Sequence, residues 1–214
     1  MTDRSPTLAE VVADELFPAV DVRLREGGHI DDRDLDHFSF LEEARPQLDA
    51  LYDRYGCDLR RSVDGYYFLE PRGAQFGQRT LTAAEMLVGQ VLCLLRLDPA
   101  TLRTSGRVER QRVLEVLDQF VGAERIGRAL NPRRRKRTMS VEAEEIRRDV
   151  DGAIRTLARL GFVDAEGDLL LLRSPLLRFA EHVVPGKDQA AELVQLVSGA
   201  PAADAGEDWA ETDE

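Results

Sequence analysis

Seven cations are the side chains best placed by type and spacing to do chemistry. Arg133, Arg134, Arg135, Lys136 and Arg137 are consecutive, and Arg155 and Arg159 lie four residues apart, one turn of a helix. Cationic groups at such spacings neutralise phosphates and release their counterions, so these seven residues are the candidate DNA contacts. Taken alone, the run from Arg133 to Arg137 is equally well read as a solvated loop. The chain around it is acidic: 40 Asp and Glu against 29 Lys and Arg give a formal net charge of −11 over 214 residues. Such a protein does not coat nucleic acid by itself, because non-specific affinity comes chiefly from phosphate neutralisation. Any DNA contact has to be local.

Other reactive types are present but not arranged for catalysis. His29, His37 and His182 are far apart and lie in no metal-ligand or nucleophile motif, so they read as surface or packing residues. Cys57 and Cys93 have no CxxC spacing and read as buried thiols. There is no GxxxxGK[ST] phosphate loop, and Gly27-Gly28-His29 is not the GxGxxG of a dinucleotide site. The carboxylates are spread along helix faces, where no two form an obvious acid and base. The expectation is a protein that is not an enzyme and holds no metal or cofactor.

The element that must carry Arg155 and Arg159 is an amphipathic helix over residues 140–160. Ile146, Val150, Ala153, Ile154, Leu157 and Leu160 recur at three- and four-residue steps and share one face. Ser140 is a suitable N-cap, and Gly161 suits the left-handed conformation that stops a helix. Phe162-Val163 and Leu169-Leu170-Leu171-Leu172 then flank a polar loop at 164–168, which reads as a hairpin. A helix feeding a hairpin is the core of a winged helix.

The same pattern occurs earlier. A helical stretch over 38–55, divided near Pro46, ends at Gly56, and Cys57-Asp58-Leu59 and Tyr66-Tyr67-Phe68-Leu69 flank turn residues. Its exposed face carries Glu42, Glu43, Asp49 and Asp53, which would repel phosphates in a groove-reading position. Residues 7–26 read as a first helix with a kink or break near Leu16 and Phe17, ahead of Pro18. His29-Ile30 reads as a short strand, Asp31 or Asp32 as the cap of a short helix containing Leu35, and residues 72–79 as a linker. Thr82-Ala83-Ala84-Glu85 fits a capping box, with Leu81 and Met86 placed as its hydrophobic staple, opening a helix that Asp98-Pro99 ends. A short strand at 107–109, a helix with Val113, Leu114, Leu117, Phe120 and Val121, and a closing helix over 176–184 complete the second unit.

The expected architecture is therefore mainly α with small β-hairpins, an α+β fold of two tandem winged-helix domains. Residues 1–79 form the first with an N-terminal helix and linker, and residues 80–184 the second. Residues 185–214 form a C-terminal helix and an acidic tail expected to be disordered around Trp209. The longest apolar run, residues 86–97, is too short for a membrane span, and the N-terminus lacks the order of a secretion signal, so a cytoplasmic protein is expected.

Several stretches closely resemble the MukE family: Leu16-Phe17-Pro18-Ala19-Val20-Asp21, Leu24-Arg25-Glu26-Gly27-Gly28-His29-Ile30, Leu51-Tyr52-Asp53-Arg54-Tyr55, and Gly65-Tyr66-Tyr67-Phe68-Leu69-Glu70-Pro71-Arg72. Met86-Leu87-Val88-Gly89-Gln90-Val91-Leu92-Cys93 and Leu157-Ala158-Arg159-Leu160-Gly161-Phe162-Val163 do so too, and the likeness runs from about residue 16 to 179. The resemblance implies the kleisin-interacting tandem winged-helix subunit of a MukBEF- or MksBEF-type condensin. Such a subunit dimerises, binds a MukF-like kleisin, joins a MukB-like SMC ATPase through it, and works in chromosome condensation and segregation at the nucleoid. It also implies an auxiliary DNA contact from the second winged helix, where Arg159 matches a basic position while Glu145, Asp149, Asp151 and Ala158 depart from the pattern. The alternative from another class is a dimeric winged-helix transcription regulator, which would need a basic recognition helix.

Overall fold

The structure is a computed structural model that describes residues 6–73, 80–119 and 139–180. The chain starts with a capping box: Thr7 N–H donates to Glu10 Oε2 at 2.7 Å, and Glu10 N–H to Thr7 Oγ1 at 3.3 Å, opening α1 (Leu8–Val12). The expected break before Pro18 is present. Pro18 sits in the first turn of α2 (Phe17–Arg25), where its missing N–H has no intrahelical partner to lose. β1 (Ile30–Asp31), α3 (Leu35–Glu43) and α4 (Arg45–Asp53) follow, then the hairpin β2 (Cys57–Arg61) and β3 (Tyr66–Pro71).

The second half repeats the order of parts. α5 (Ala83–Leu97) and the short α6 (Pro99–Arg103) lead to β4 (Arg107–Glu109), α7 (110–119), α8 (Met139–Arg159), β5 (Val163–Glu166) and β6 (Leu169–Leu172). A 3₁₀ turn over Ser174–Phe179 packs back on α5. Each half holds a three-stranded antiparallel sheet, ordered β1-β3-β2 in the first and β4-β6-β5 in the second, so the short early strand lies beside the last strand of its hairpin. The fold is a mixture of helices and small antiparallel sheets, as expected for the α+β class.

Each sheet closes its own hydrophobic cluster. In the first, Val20, Leu24, Ile30, Leu41, Leu48, Tyr52 and Tyr67 are buried with Cys57 and Leu59. In the second, α5 and α8 pack across each other, and Val88, Leu92, Leu95, Val113, Leu117, Val150, Ile154, Leu157, Leu170 and Leu172 are buried. The apolar stripe read along α8 is the face that enters this core. Thr82 caps α5 as expected, with Glu85 Oε2 2.8 Å from the Thr82 N–H, while Leu81 and Met86 pack on the core. Cys57 and Cys93 are both buried thiols, and burial raises the Cys93 pKa to about 11.

Four local expectations need correction. Leu35 and Phe38 belong to one helix, α3, and the division from α4 falls at Ala44 because Pro46 prefers the first turn of a new helix. The cap position of α3 is Asp34, without a side-chain hydrogen bond, because Asp31 is engaged elsewhere. α8 already includes Met139, so Ser140 lies inside the helix. The second hairpin turns at Gly167-Asp168, with Gly167 at φ +59°, and Asp164, Ala165 and Glu166 are strand. β5 is an edge strand whose last three residues are half-buried or exposed, which is why these residues looked like a loop. The end of the 72–79 linker, Phe120 and Val121, the Arg133 to Arg137 run, His182, residues 181–184 of the expected closing helix and the 185–214 tail lie outside the described residues, and the start of that closing segment is 3₁₀ rather than α.

Candidate functional site

Two regions carry chemistry: the junction between the halves, and the outer face of α8. The junction begins with the way α8 ends. Gly161 takes φ +79°, Gly161 N–H donates to Ala158 O at 3.0 Å and Phe162 N–H to Leu157 O at 3.0 Å, a Schellman termination. That leaves Leu160 O free, and the first half satisfies it. Both the backbone N–H of His29 and its ring Nδ1 lie 2.9 Å from Leu160 O. Since a carbonyl only accepts, Nδ1 carries the proton. Nε2 then holds a lone pair, 2.7 Å from Arg178 Nη1, which donates to it.

His29 is 2% exposed, against Phe162 at 4.4 Å between ring centroids and near Tyr66 and Phe68. Burial first, and then the Arg178 charge, depress its pKa to about 3, so the ring is neutral at physiological pH. Arg178 also stacks on Phe68, with 4.2 Å from guanidinium to ring centroid, linking the 3₁₀ turn to β3.

Beside this lies an ion pair with both members buried. Asp31 of β1 accepts from Arg173 Nε at 3.1 Å and from Arg173 Nη2, and the Ser174 N–H lies 3.4 Å from its second oxygen. Arg173 Nη1 reaches Asp164 on β5 at 3.1 Å. Burial works against the Arg173 charge, but the bonds and charge of Asp31 outweigh it and raise the pKa. Arg33 Nη2 adds an outer contact at 3.4 Å to Ser105 O. The outcome is chemical rigidity: His29, Asp31, Arg173 and Arg178 are all engaged in holding the halves together.

Arg155 and Arg159 project from the solvent side of α8, both exposed, and neither forms an ion pair among the described residues. Arg148, exposed on the same helix, lies 3.8 Å from Glu144, and Asp151 is held by Arg110 at 3.0 Å. Arg110 also donates to Gly167 O at 2.8 Å, tying the hairpin turn to α8. The tip of that hairpin is acidic and exposed at Glu166 and Asp168. The face is therefore locally basic at Arg155 and Arg159, with carboxylates on its flank. The remaining candidates, Arg133, Arg134, Arg135, Lys136 and Arg137, lie outside the described residues. The structure brings Arg155 and Arg159 together.

In the first half the carboxylates expected on one helix face are divided between α3 and α4 and are largely paired. Glu42 accepts from the Tyr67 hydroxyl at 2.7 Å and pairs with Arg61 at 3.0 Å, while Asp53 binds Arg72. His37 is bonded to Asp34 at 2.8 Å, a packing role. Among the described residues no group of His, Cys, Asp and Glu could hold a metal ion, and no helix is long and apolar enough to cross a membrane.

The sequence profile of the MukE-like family matches residues 4–213. The chain belongs to the MukE-like family. It is 32% identical over 201 residues to the chromosome partition protein MukE of Mannheimia succiniciproducens, covering 92% of this chain and 83% of that protein. The MukE of Vibrio cholerae is 33% identical over 193 residues, 89% of this chain and 83% of the relative. That of Histophilus somni is 34% identical over 203 residues, 92% and 81% respectively. Within the family fold, Arg173 and Arg178 were not singled out by sequence, Asp31 only as an alternative helix cap, and His29 only as a surface or packing residue. For Asp31 and Arg173 the local signal is a charged residue at the end of an apolar strand: Asp31 closes β1 after Ile30, and Arg173 follows Leu172 of β6.

Proposed function

We propose that this chain is a non-enzymatic subunit of a bacterial SMC-type condensin that takes part in chromosome partition. It dimerises, binds a MukF-like kleisin, and reaches the MukB-like ATPase through that kleisin, in the cytoplasm at the nucleoid. The observation that carries this is the family match over residues 4–213, together with relatives named chromosome partition protein MukE that align over most of their length. In this reading each half is a winged helix, with domains at 1–79 and 80–184 and a tail at 185–214. The helix–strand–helix–helix–strand–strand order of both halves supports that division.

DNA contact is auxiliary. Arg155 and Arg159, exposed on α8 without ion-pair partners among the described residues, support a phosphate contact from the second winged helix. Arg133, Arg134, Arg135, Lys136 and Arg137 are proposed to extend it. The acidic hairpin tip at Glu166 and Asp168 and the exposed Asp49 and Asp53 of α4 count against a regulator that reads an operator by itself. Co-purification with a MukF-like kleisin from the same organism tests the reading. A complex stable at micromolar concentration is expected, and failure of the two proteins to associate would overturn it.

A further inference from the structure

A groove of about 550 Å³ runs between α4 and β2, lined by Arg45, Asp49, Asp53 and every residue of β2. Side chains of a strand alternate between its two faces, so a groove touched by all five residues from Cys57 to Arg61 must follow the strand's edge. β2 is the outer strand of the β1-β3-β2 sheet, and β3 occupies its other side.

The hydrogen-bond register says what that edge offers. Ser62 N–H donates to Tyr66 O at 2.8 Å, and Arg72 N–H to Gly56 O at 2.9 Å, so Ser62 and Gly56 both point their backbone groups at β3. These pairs continue the register Asp58↔Glu70 and Arg60↔Phe68. Even-numbered residues of β2 are thus spent on the ladder, and Cys57, Leu59 and Arg61 aim their N–H and C=O groups outward into the groove.

The charged side chains around the groove are drawn away from it. Arg60 pairs with Glu70 on β3 at 2.8 Å, and Arg61 with Glu42 on α3 at 3.0 Å. On the α4 wall, the exposed Asp49 has, among the described residues, only Arg45 at 3.6 Å, and Asp53 is bound by Arg72. An extended polypeptide fits these requirements: backbone for the three outward residues of β2, and a basic side chain on the α4 side opposite Asp49.

We infer that the edge of β2 is a docking site for an extended segment of a partner protein, which adds as a fourth strand to the first sheet with a basic residue facing Asp49. Residue alternation makes Cys57, Leu59 and Arg61 the backbone partners, with Leu59 at the centre. The identity of the partner rests on the kleisin reading above; the position and geometry of the site do not.

The test uses the full chain and the purified MukF-like kleisin. Arg61→Pro removes an outward N–H that the ladder does not use, and Arg61→Ala removes the same side chain but keeps that N–H. Arg61→Pro and Asp49→Lys are each expected to weaken kleisin binding at least tenfold, with Arg61→Ala within about twofold of wild type. In the unaltered protein, amide exchange at Leu59 and Arg61 should slow at least tenfold when the kleisin binds, which keeps the test valid if a variant misfolds. Binding by Arg61→Pro equal to that of Arg61→Ala, or Leu59 and Arg61 amides indifferent to a bound kleisin, would overturn the inference and leave the kleisin reading standing. Slowing of the same amides with rising protein concentration and no kleisin would also overturn it, by identifying the occupant as a second copy. No binding to wild type would overturn both readings.

Discussion

Arg173 closes over Asp31 across the junction of the two halves, a contact between residues 142 positions apart in which the carboxylate is 1% exposed. Taking Arg173 to Ala leaves Asp31 buried with, among the described residues, only the backbone N–H groups of Arg33 and Ser174 as donors. Removing one member of a buried ion pair costs about 3–5 kcal/mol, whereas replacing both members by apolar groups of similar size is often close to neutral. Arg173→Ala is therefore expected to lower the urea midpoint sharply, and the double variant Arg173→Met with Asp31→Leu to recover most of it. A double variant no more stable than Arg173→Ala would show that the pair contributes more than its mutual compensation.

His29 makes stability depend on pH in one direction. Its folded pKa is about 3, below the ordinary 6.5, so below pH 6.5 the unfolded chain takes up a proton that the folded chain does not. The contribution is complete above pH 6.5 and is lost as pH falls toward 3, at about 1.4 kcal/mol per pH unit. Carboxylates add their own slopes, so the quantity to measure is the difference in unfolding free energy between wild type and His29→Gln. Wild type should lose ground to the variant steadily between pH 6 and 4. A constant difference would mean that the ring accepts a proton inside the fold.

Gly161 and Gly65 separate backbone strain from steric contact. Both have positive φ, +79° and +80°, but a Cβ at 65 meets nothing within 4 Å, while one at 161 would lie 2.5 Å from His29 O. Gly65→Ala should cost only the left-handed penalty of about 1–2 kcal/mol. Gly161→Ala should cost about 1–3 kcal/mol more, because backbone on the facing half has to move. Thermal unfolding of the two variants gives the comparison, and equal costs would mean that the junction yields without penalty.

Arg155 and Arg159 can be tested by salt. Each lost phosphate contact lowers the magnitude of the log affinity versus log salt slope by about 0.9, so charge reversal at both should lower it by about 1.8 in DNA binding by the assembled complex. Kleisin co-purification should be unchanged. A slope equal to that of wild type would assign DNA contact to other residues, the Arg133 to Arg137 run first among them.

The course of the chain was legible wherever the determining interactions are local. The α8 stripe from Ile146 to Leu160, the Thr82 capping box, the Gly161 stop and the strand at 107–109 all rest on residues within a turn or two of each other. Expectations failed where a short signal had two outcomes. Pro46 can end a helix or begin one, and Asp164, Ala165 and Glu166 suit a loop as well as an edge strand with a wet face. Arg155 and Arg159 were found because charge and helical spacing suffice to place both on one exposed face.

Sequence alone determined the family, the order of helices and strands, and the local basic character of α8 in an acidic chain, because periodicity, capping and motif likeness are properties of neighbouring residues. Only the tertiary structure decided that His29, Asp31, Arg173 and Arg178 form the junction, and which edge of the first sheet stays open. Those relationships join residues 131 to 149 positions apart, or depend on which strand pairs with which. Burial in a shared core specifies them, and no short stretch of the chain carries that information.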